Sequence, residues 1–127
     1  MREYLFRGKR TDNGEWLYGD LLHHADAVKI REQEPEIRRA ARSFEVLPET
    51  VGQFTGMNDR NGVKVFEGDI IRLYGNMRKC YAVYYEGACF TTDAGPCDLC
   101  VAEEDEIEVT GNVFDNLALL EVSEHDA

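Results

Sequence analysis

Thr50-Val51-Gly52-Gln53-Phe54-Thr55-Gly56 and, after a short turn, Phe66-Glu67-Gly68-Asp69-Ile70-Ile71 decide how this chain folds. The first stretch reads as a strand that ends in a glycine turn. The second bends at an acidic Gly-Asp corner and runs on as a strand. Between them, Met57-Asn58-Asp59-Arg60-Asn61-Gly62 carries an Asn-Gly turn signal. Short strands joined by tight glycine turns predict a small antiparallel barrel, a shape that needs no catalytic apparatus.

The strand pattern continues downstream. Ile70-Ile71-Arg72-Leu73-Tyr74 follows the corner, and residues 79–86 form another strand after Gly75-Asn76. Cys89-Phe90-Thr91-Thr92 comes next, then an acidic loop that ends in Glu103-Glu104-Asp105-Glu106. Ile107-Glu108-Val109-Thr110-Gly111-Asn112-Val113-Phe114 is the last strand, and Asp115 or Asn116 caps a terminal turn.

Upstream, Tyr4-Leu5-Phe6-Arg7 and Trp16-Leu17-Tyr18-Gly19-Asp20-Leu21-Leu22 flank an Asn13-Gly14 turn and predict a hairpin. The period of two places Trp16 and Tyr18 on one face. Trp16 is expected to anchor the core of this half rather than to serve as a ligand platform. Residues 34–44 predict a short helix, because Ile37, Ala40, Ala41 and Phe44 fall at i, i+3, i+4 and i+7. Arg38, Arg39 and Arg42 lie on its other side, a solvated stripe or a phosphate-facing one. The expected fold is therefore mainly β: one domain over 1–127, divided into a hairpin-plus-helix region, 1–47, and a small barrel, 48–127.

A chain of 127 residues with 43% apolar and 10% aromatic side chains has enough apolar matter for one core. It holds no long apolar run, so no membrane span is expected. The first residues lack an apolar signal region, and a cytoplasmic location is expected. The net charge of −11 falls wholly in residues 48–127, while residues 1–47 balance nine basic against nine acidic side chains. An acidic half repels a phosphate backbone; as a surface it confers solubility.

Cys97-Asp98-Leu99-Cys100 has the C-x-x-C spacing of half a zinc site, which Cys80 and Cys89 would have to complete. Those two are not spaced as a second knuckle, and both read as half-buried strand positions. His23-His24 lacks a ligand partner at helical spacing and reads as a loop pair. The 57–68 turn has Met57 and Gly68 where a calcium loop needs oxygen ligands, so it is not one. Neither serine, Ser43 or Ser123, lies in a nucleophile elbow. Glu67 and Asp69 make a conceivable acid–base pair without a third partner. The stronger reading makes Asp69 a turn residue that accepts backbone N–H groups. No catalytic, cofactor or metal residue is assigned.

Four blocks together resemble the YopX family, small proteins typical of bacteriophages and prophages. They are Arg2-Glu3-Tyr4-Leu5-Phe6-Arg7-Gly8 with Gly14-Glu15-Trp16-Leu17-Tyr18-Gly19; Pro48-Glu49-Thr50-Val51-Gly52-Gln53-Phe54-Thr55-Gly56; Asp59-Arg60-Asn61-Gly62 leading to Phe66-Glu67-Gly68-Asp69-Ile70; and Ile107-Glu108-Val109-Thr110-Gly111-Asn112-Val113-Phe114-Asp115-Asn116, then Leu119-Leu120. Leu5 departs from the family's usual basic residue and Thr110 from its usual apolar one. The four cysteines are outside the pattern. The resemblance implies a β-rich N-terminal part and an SH3-like barrel, and it carries over no functional residue.

The expected function is that of a non-enzymatic phage or prophage accessory protein acting on a protein partner. Its candidate surfaces are the Arg38/Arg39/Arg42 side and the acidic 98–108 loop. One alternative is nucleic-acid binding through Arg2, Arg7, Lys9, Arg10 and the helix arginines, or DNA mimicry by the acidic half. A second is a small zinc protein built on Cys80, Cys89, Cys97 and Cys100. Exposed barrel edges also lead toward a homo-oligomer.

Overall fold

The computed structural model describes residues 4–33, 40–73, 76–86, 89–92 and 106–120, with backbone alone at 73, 76–79, 86 and 89. The chain is mainly β and carries two antiparallel sheets. The described strands are β1 (Phe6–Lys9), β2 (Trp16–His24), β3 (Ala27–Glu32), β4 (Ser43–Glu45), β5 (Gly52–Asn58), β6 (Lys64–Phe66), β7 (Asp69–Leu73), β8 (Asn76–Glu86), β9 (Cys89–Thr92) and β10 (Ile107–Asn112). A single 3-10 turn, Pro48–Thr50, precedes β5.

The chain divides into two compact units, Met1–Phe54 and Thr55–Ala127. The division falls inside β5 rather than at 47/48 because the start of β5 belongs to the first unit. Gln53 and Gly52 pair with Phe6 and Arg7 of β1, and the Phe54 N–H donates to the Leu5 carbonyl at 2.8 Å.

In the first unit the predicted hairpin forms. The Asn13 side chain accepts the Glu15 N–H at 3.0 Å, and the Arg10 N–H closes the turn on the Glu15 carbonyl at 2.9 Å. β2 then pairs with β3 and β3 with β4, giving the order β4-β3-β2-β1-β5. Thr50 ties the 3-10 turn to β1: its hydroxyl donates to the Leu47 carbonyl at 2.6 Å and accepts the Lys9 N–H at 2.9 Å. Leu5, Ile30, Val46 and Phe54 are buried.

The helix expected over 34–44 is corrected where it is described. Residues 40–42 have no regular structure, and Ser43–Glu45 is a strand. Phe44 stands opposite Ile30 on β3, and the Glu32 N–H donates to the Arg42 carbonyl at 2.9 Å. Phe44, the last residue of the helical spacing, thus sits on a sheet edge, where pairing with β3 satisfies backbone groups that a short helix leaves open. Residues 34–39, with Arg38 and Arg39, lie outside the described residues.

In the second unit a four-stranded sheet has the order β10-β7-β8-β9. Val65, Ile71, Val83 and Ile107 form its buried core, with Met57, Phe90 and Val109 packed against them. Ile70 and Ile71 are both fully buried. Adjacent strand residues face opposite ways, so β7 is covered on both faces. The closed SH3-like barrel expected over 48–127 is not formed by the described strands: β9 and β10 are sheet edges, and no ladder joins them. Closure would need further strands between them, but β5 and β6 are paired in the other sheet, in the order β1-β5-β6.

Two corners hold this unit, and each lies in one of the sequence blocks quoted above. Asp69 is buried, and its Oδ2 accepts the Phe66 N–H at 2.7 Å. Gly68 gives its N–H to the Val83 carbonyl and accepts the Val113 N–H, both at 2.8 Å. At the second corner, β10 shifts register between Val109 and Gly111. The Asn112 side chain beyond that shift accepts the N–H groups of Phe114 at 3.0 Å and Asp115 at 2.9 Å. Asn116 reaches back to accept the Asn112 N–H at 3.2 Å. A Cβ on Gly111 would come within 2.6 Å of Asn116 Oδ1, which explains the glycine there. Asn112→Ala removes the one side-chain oxygen that accepts both of these N–H groups at an exposed turn. The expected cost is about 1 kcal/mol, read as a lower denaturant midpoint at unchanged slope.

Candidate binding face

Register sorts the first unit's side chains onto two faces, since directly paired residues point the same way. Leu21, Ile30 and Phe44 share one face. Arg7 with Tyr18, Lys9 with Trp16, Asp20 with Arg31, Leu22 with Lys29, and Glu45 beside Lys29 share the other.

Along β2 and β3 this second face is exposed at Tyr18, Asp20, Leu22 and Arg31, while Arg7 on its β1 side is buried. Trp16 stands on it half-buried, which corrects the expected role as a core anchor. Its ring carries two cations: the Arg7 guanidinium lies 4.7 Å from the centroid and the Lys9 ammonium 5.5 Å. Both lie within the range where a ring's negative face attracts a cation. Arg7 is itself buried. Farther along β2, Tyr18 is 49% exposed and Leu22 37%. Arg31 is exposed and Lys29 half-buried beside them. Among the described residues neither Lys29 nor Arg31 makes an ion pair. Asp20, directly across from Arg31, accepts a hydrogen bond from Gln33 Nε2 at 2.7 Å instead.

Cations that looked available from the sequence are engaged elsewhere. Arg10 grips Asp12 through two hydrogen bonds, at 2.9 and 2.6 Å, and lies 4.1 Å over the Phe44 ring. The hydrogen bond from Arg10 is the main reason the Asp12 carboxyl titrates below its ordinary range, and the same bond raises Arg10. Arg42 pairs with Glu32 at 3.3 Å and lies 5.5 Å from the centroid of the same Phe44 ring. Arg2 lies outside the described residues.

The other singled-out residues fall as follows. Cys80 is buried in β8, while Cys97, Cys100 and the Cys89 side chain lie outside the described residues. His23 and His24 are exposed at the end of β2, a strand and not a loop. Glu67 sits in the turn before β7, so it and Asp69 do not share a strand, and Asp69 takes the turn role expected of it. Of the acidic loop only Glu106, Ile107 and Glu108 are described. Among the described residues no group of three or more His, Cys, Asp or Glu could hold a metal ion. No described helix is long and apolar enough to cross a membrane.

Sequence reading does not single out Lys29, Arg31 or Leu22. The alternation of β3 was a usable signal, but their place beside Tyr18 follows only from the β2–β3 register. What these features define is a mainly β protein with an open sheet face that mixes aromatic and basic side chains. The family model described as YopX protein matches residues 5–121, and the chain belongs to that family. A search of curated proteins found no match. Among solved structures, the crystal structure of protein EF1440 from Enterococcus faecalis is similar in fold, with a TM-score of 0.60. It shares 23% identity, and the match covers 94% of this chain and 99% of that one.

Proposed function

We propose that this chain is a non-enzymatic, cytoplasmic accessory protein of phage or prophage type that binds a macromolecular partner on the open face of its first unit. The observation that carries this reading is the exposure of Tyr18 and Leu22 beside Arg31 and Lys29. Aromatic and aliphatic area left in water next to cations costs solubility and offers contact area to a partner. The non-enzymatic part is supported by how the buried acids are used: Asp59 and Asp69 give their carboxylates to backbone N–H groups. Reading the second unit as an open relative of SH3-like barrels belongs to the same proposal, on the strength of its short antiparallel strands and tight turns.

The test is affinity capture from a bacterial lysate, with the natural chain and a Tyr18→Ala/Leu22→Ser/Arg31→Glu variant side by side. A species held by the natural chain and lost by the variant is the expected result. A partner retained equally by both would move the site off this face.

A further inference from the structure

We infer that Asn61-Gly62 is a site of uncatalysed modification: the Asn61 amide cyclises onto the Gly62 nitrogen, and the isoaspartate that follows frees β10 from the Asp59 turn. The site lies in the second unit and does not rest on the binding-face reading.

The chain has two Asn-Gly pairs, Asn13-Gly14 and Asn61-Gly62. Asparagine is among the thermolabile residues, and a following glycine lets the backbone approach closely because it carries no Cβ. The two glycines match. Both are exposed, with positive φ of 73° and 82°. A Cβ built on either would meet nothing within 4 Å, so both sites are open to water. Each glycine N–H also donates one bond, Gly14 to the Arg10 carbonyl at 3.1 Å and Gly62 to the Asp59 carbonyl at 3.0 Å.

The asparagine side chains differ. Asn13 Oδ1 accepts the Glu15 N–H at 3.0 Å, which holds its amide in one position. Among the described residues the Asn61 side chain makes no hydrogen bond; only its backbone N–H is engaged, by Asp59 Oδ1 at 2.8 Å. Cyclisation requires the amide carbon to swing onto the next backbone nitrogen. At Asn13 that motion breaks a hydrogen bond, and at Asn61 it breaks none.

The chemistry needs only water and base. The Gly62 nitrogen gives up its proton and bonds to Asn61 Cγ, and the side-chain nitrogen leaves as ammonia. Water then opens the five-membered imide at either carbonyl. Attack at Cγ gives aspartate. Attack at the main-chain carbonyl gives isoaspartate, in which the backbone runs through Cβ and is one carbon longer. That extra carbon falls inside the turn that Asp59 closes. The bonds from the Gly62 N–H to the Asp59 carbonyl and from the Val63 N–H to Asp59 Oδ1 lose their geometry. Asp59 Oδ2 is what holds the Val109 N–H of β10, at 3.0 Å, so a displaced Asp59 releases that strand edge.

The test incubates the full chain in mildly alkaline buffer at body temperature and follows both asparagines by peptide mapping. An isoaspartate-specific methyltransferase marks the rearranged product. Asn61 should convert about fivefold faster than Asn13, the rate equivalent of one exposed hydrogen bond. In a denatured sample both side chains are free, and the two sites should convert at like rates. Asn61→Gln should stop conversion at position 61, because glutamine must close a larger ring. Hydrogen exchange should show protection lost at Val109 in aged chains that carry isoaspartate at 61. Equally aged Asn61→Gln protein should keep it. Conversion at Asn13 that equals or outpaces Asn61 in the folded chain would overturn the site. Full protection of Val109 in chains with isoaspartate at 61 would overturn its effect on β10.

Discussion

Asp59→Ala is expected to cost the second unit about 3–5 kcal/mol, a large share of the 5–15 kcal/mol that holds a typical domain. Asp59 is 4% exposed. One carboxylate oxygen accepts the N–H groups of Asn61 at 2.8 Å and Val63 at 2.9 Å. The other accepts the Val109 N–H at 3.0 Å. The residue thereby closes its own turn and fastens it to β10, and the Arg60 N–H adds a bond to the Ile107 carbonyl at 2.9 Å. Alanine leaves three backbone donors without this acceptor, each worth about 1–3 kcal/mol where water cannot replace it. Asp59→Asn separates the two jobs. Its amide oxygen can keep the bonds to Asn61 and Val63, while the NH2 group meets the Val109 N–H as donor against donor. Hydrogen exchange should therefore show a broad loss of protection in alanine and a loss centred on Val109 in asparagine. Unchanged protection at Val109 in both variants would show that the Asp59 link does not hold β10.

Gly19→Ala should damage the first unit by about 3 kcal/mol, the upper end of ordinary overpacking. A Cβ at Gly19 would stand 2.0 Å from the Arg31 carbonyl oxygen and 2.9 Å from its carbon. The obstacle is backbone, which cannot swing aside like a flexible side chain. Gly19 pairs with Phe6 on one side and Glu32 on the other, so neither neighbour can retreat without breaking a ladder. The chain has one tryptophan, and Trp16 lies three positions away on the same strand. Its fluorescence in a denaturant titration reports this unit directly. A midpoint indistinguishable from that of the natural chain would mean that β2 and β3 have room the structure does not show.

The turn chemistry was legible in advance. Asn13-Gly14 and the Gly68-Asp69 corner lie where their residue types predicted, because such turns depend on a few neighbouring dihedrals and one or two side-chain bonds. Phe44 shows the limit. Of the apolar residues at helical spacing, Phe44 lies in an edge strand opposite Ile30 and Ala40 and Ala41 in no regular structure, a pairing that spacing within one segment does not report. Trp16 shows another. In β2 both alternating sets contain apolar residues, Trp16, Tyr18 and Leu22 against Leu17 and Leu21, so the period of two groups them without saying which group meets water. The same holds for Lys29 and Arg31, whose neighbours come from a strand pairing and not from their own segment.

By itself the sequence determined the β character, the hairpin, the turns and the family, since each rests on residues near one another in the chain. The tertiary structure alone decided which strands are partners, that the described sheet of the second unit stays open, and which face of the first displays its aromatics and cations. Those outcomes depend on contacts between distant segments. Asp59 meets Val109 fifty positions away, and Lys9 meets Thr50 across forty-one. Local propensity does not encode such meetings; they arise when burial and backbone pairing are satisfied together over the whole unit.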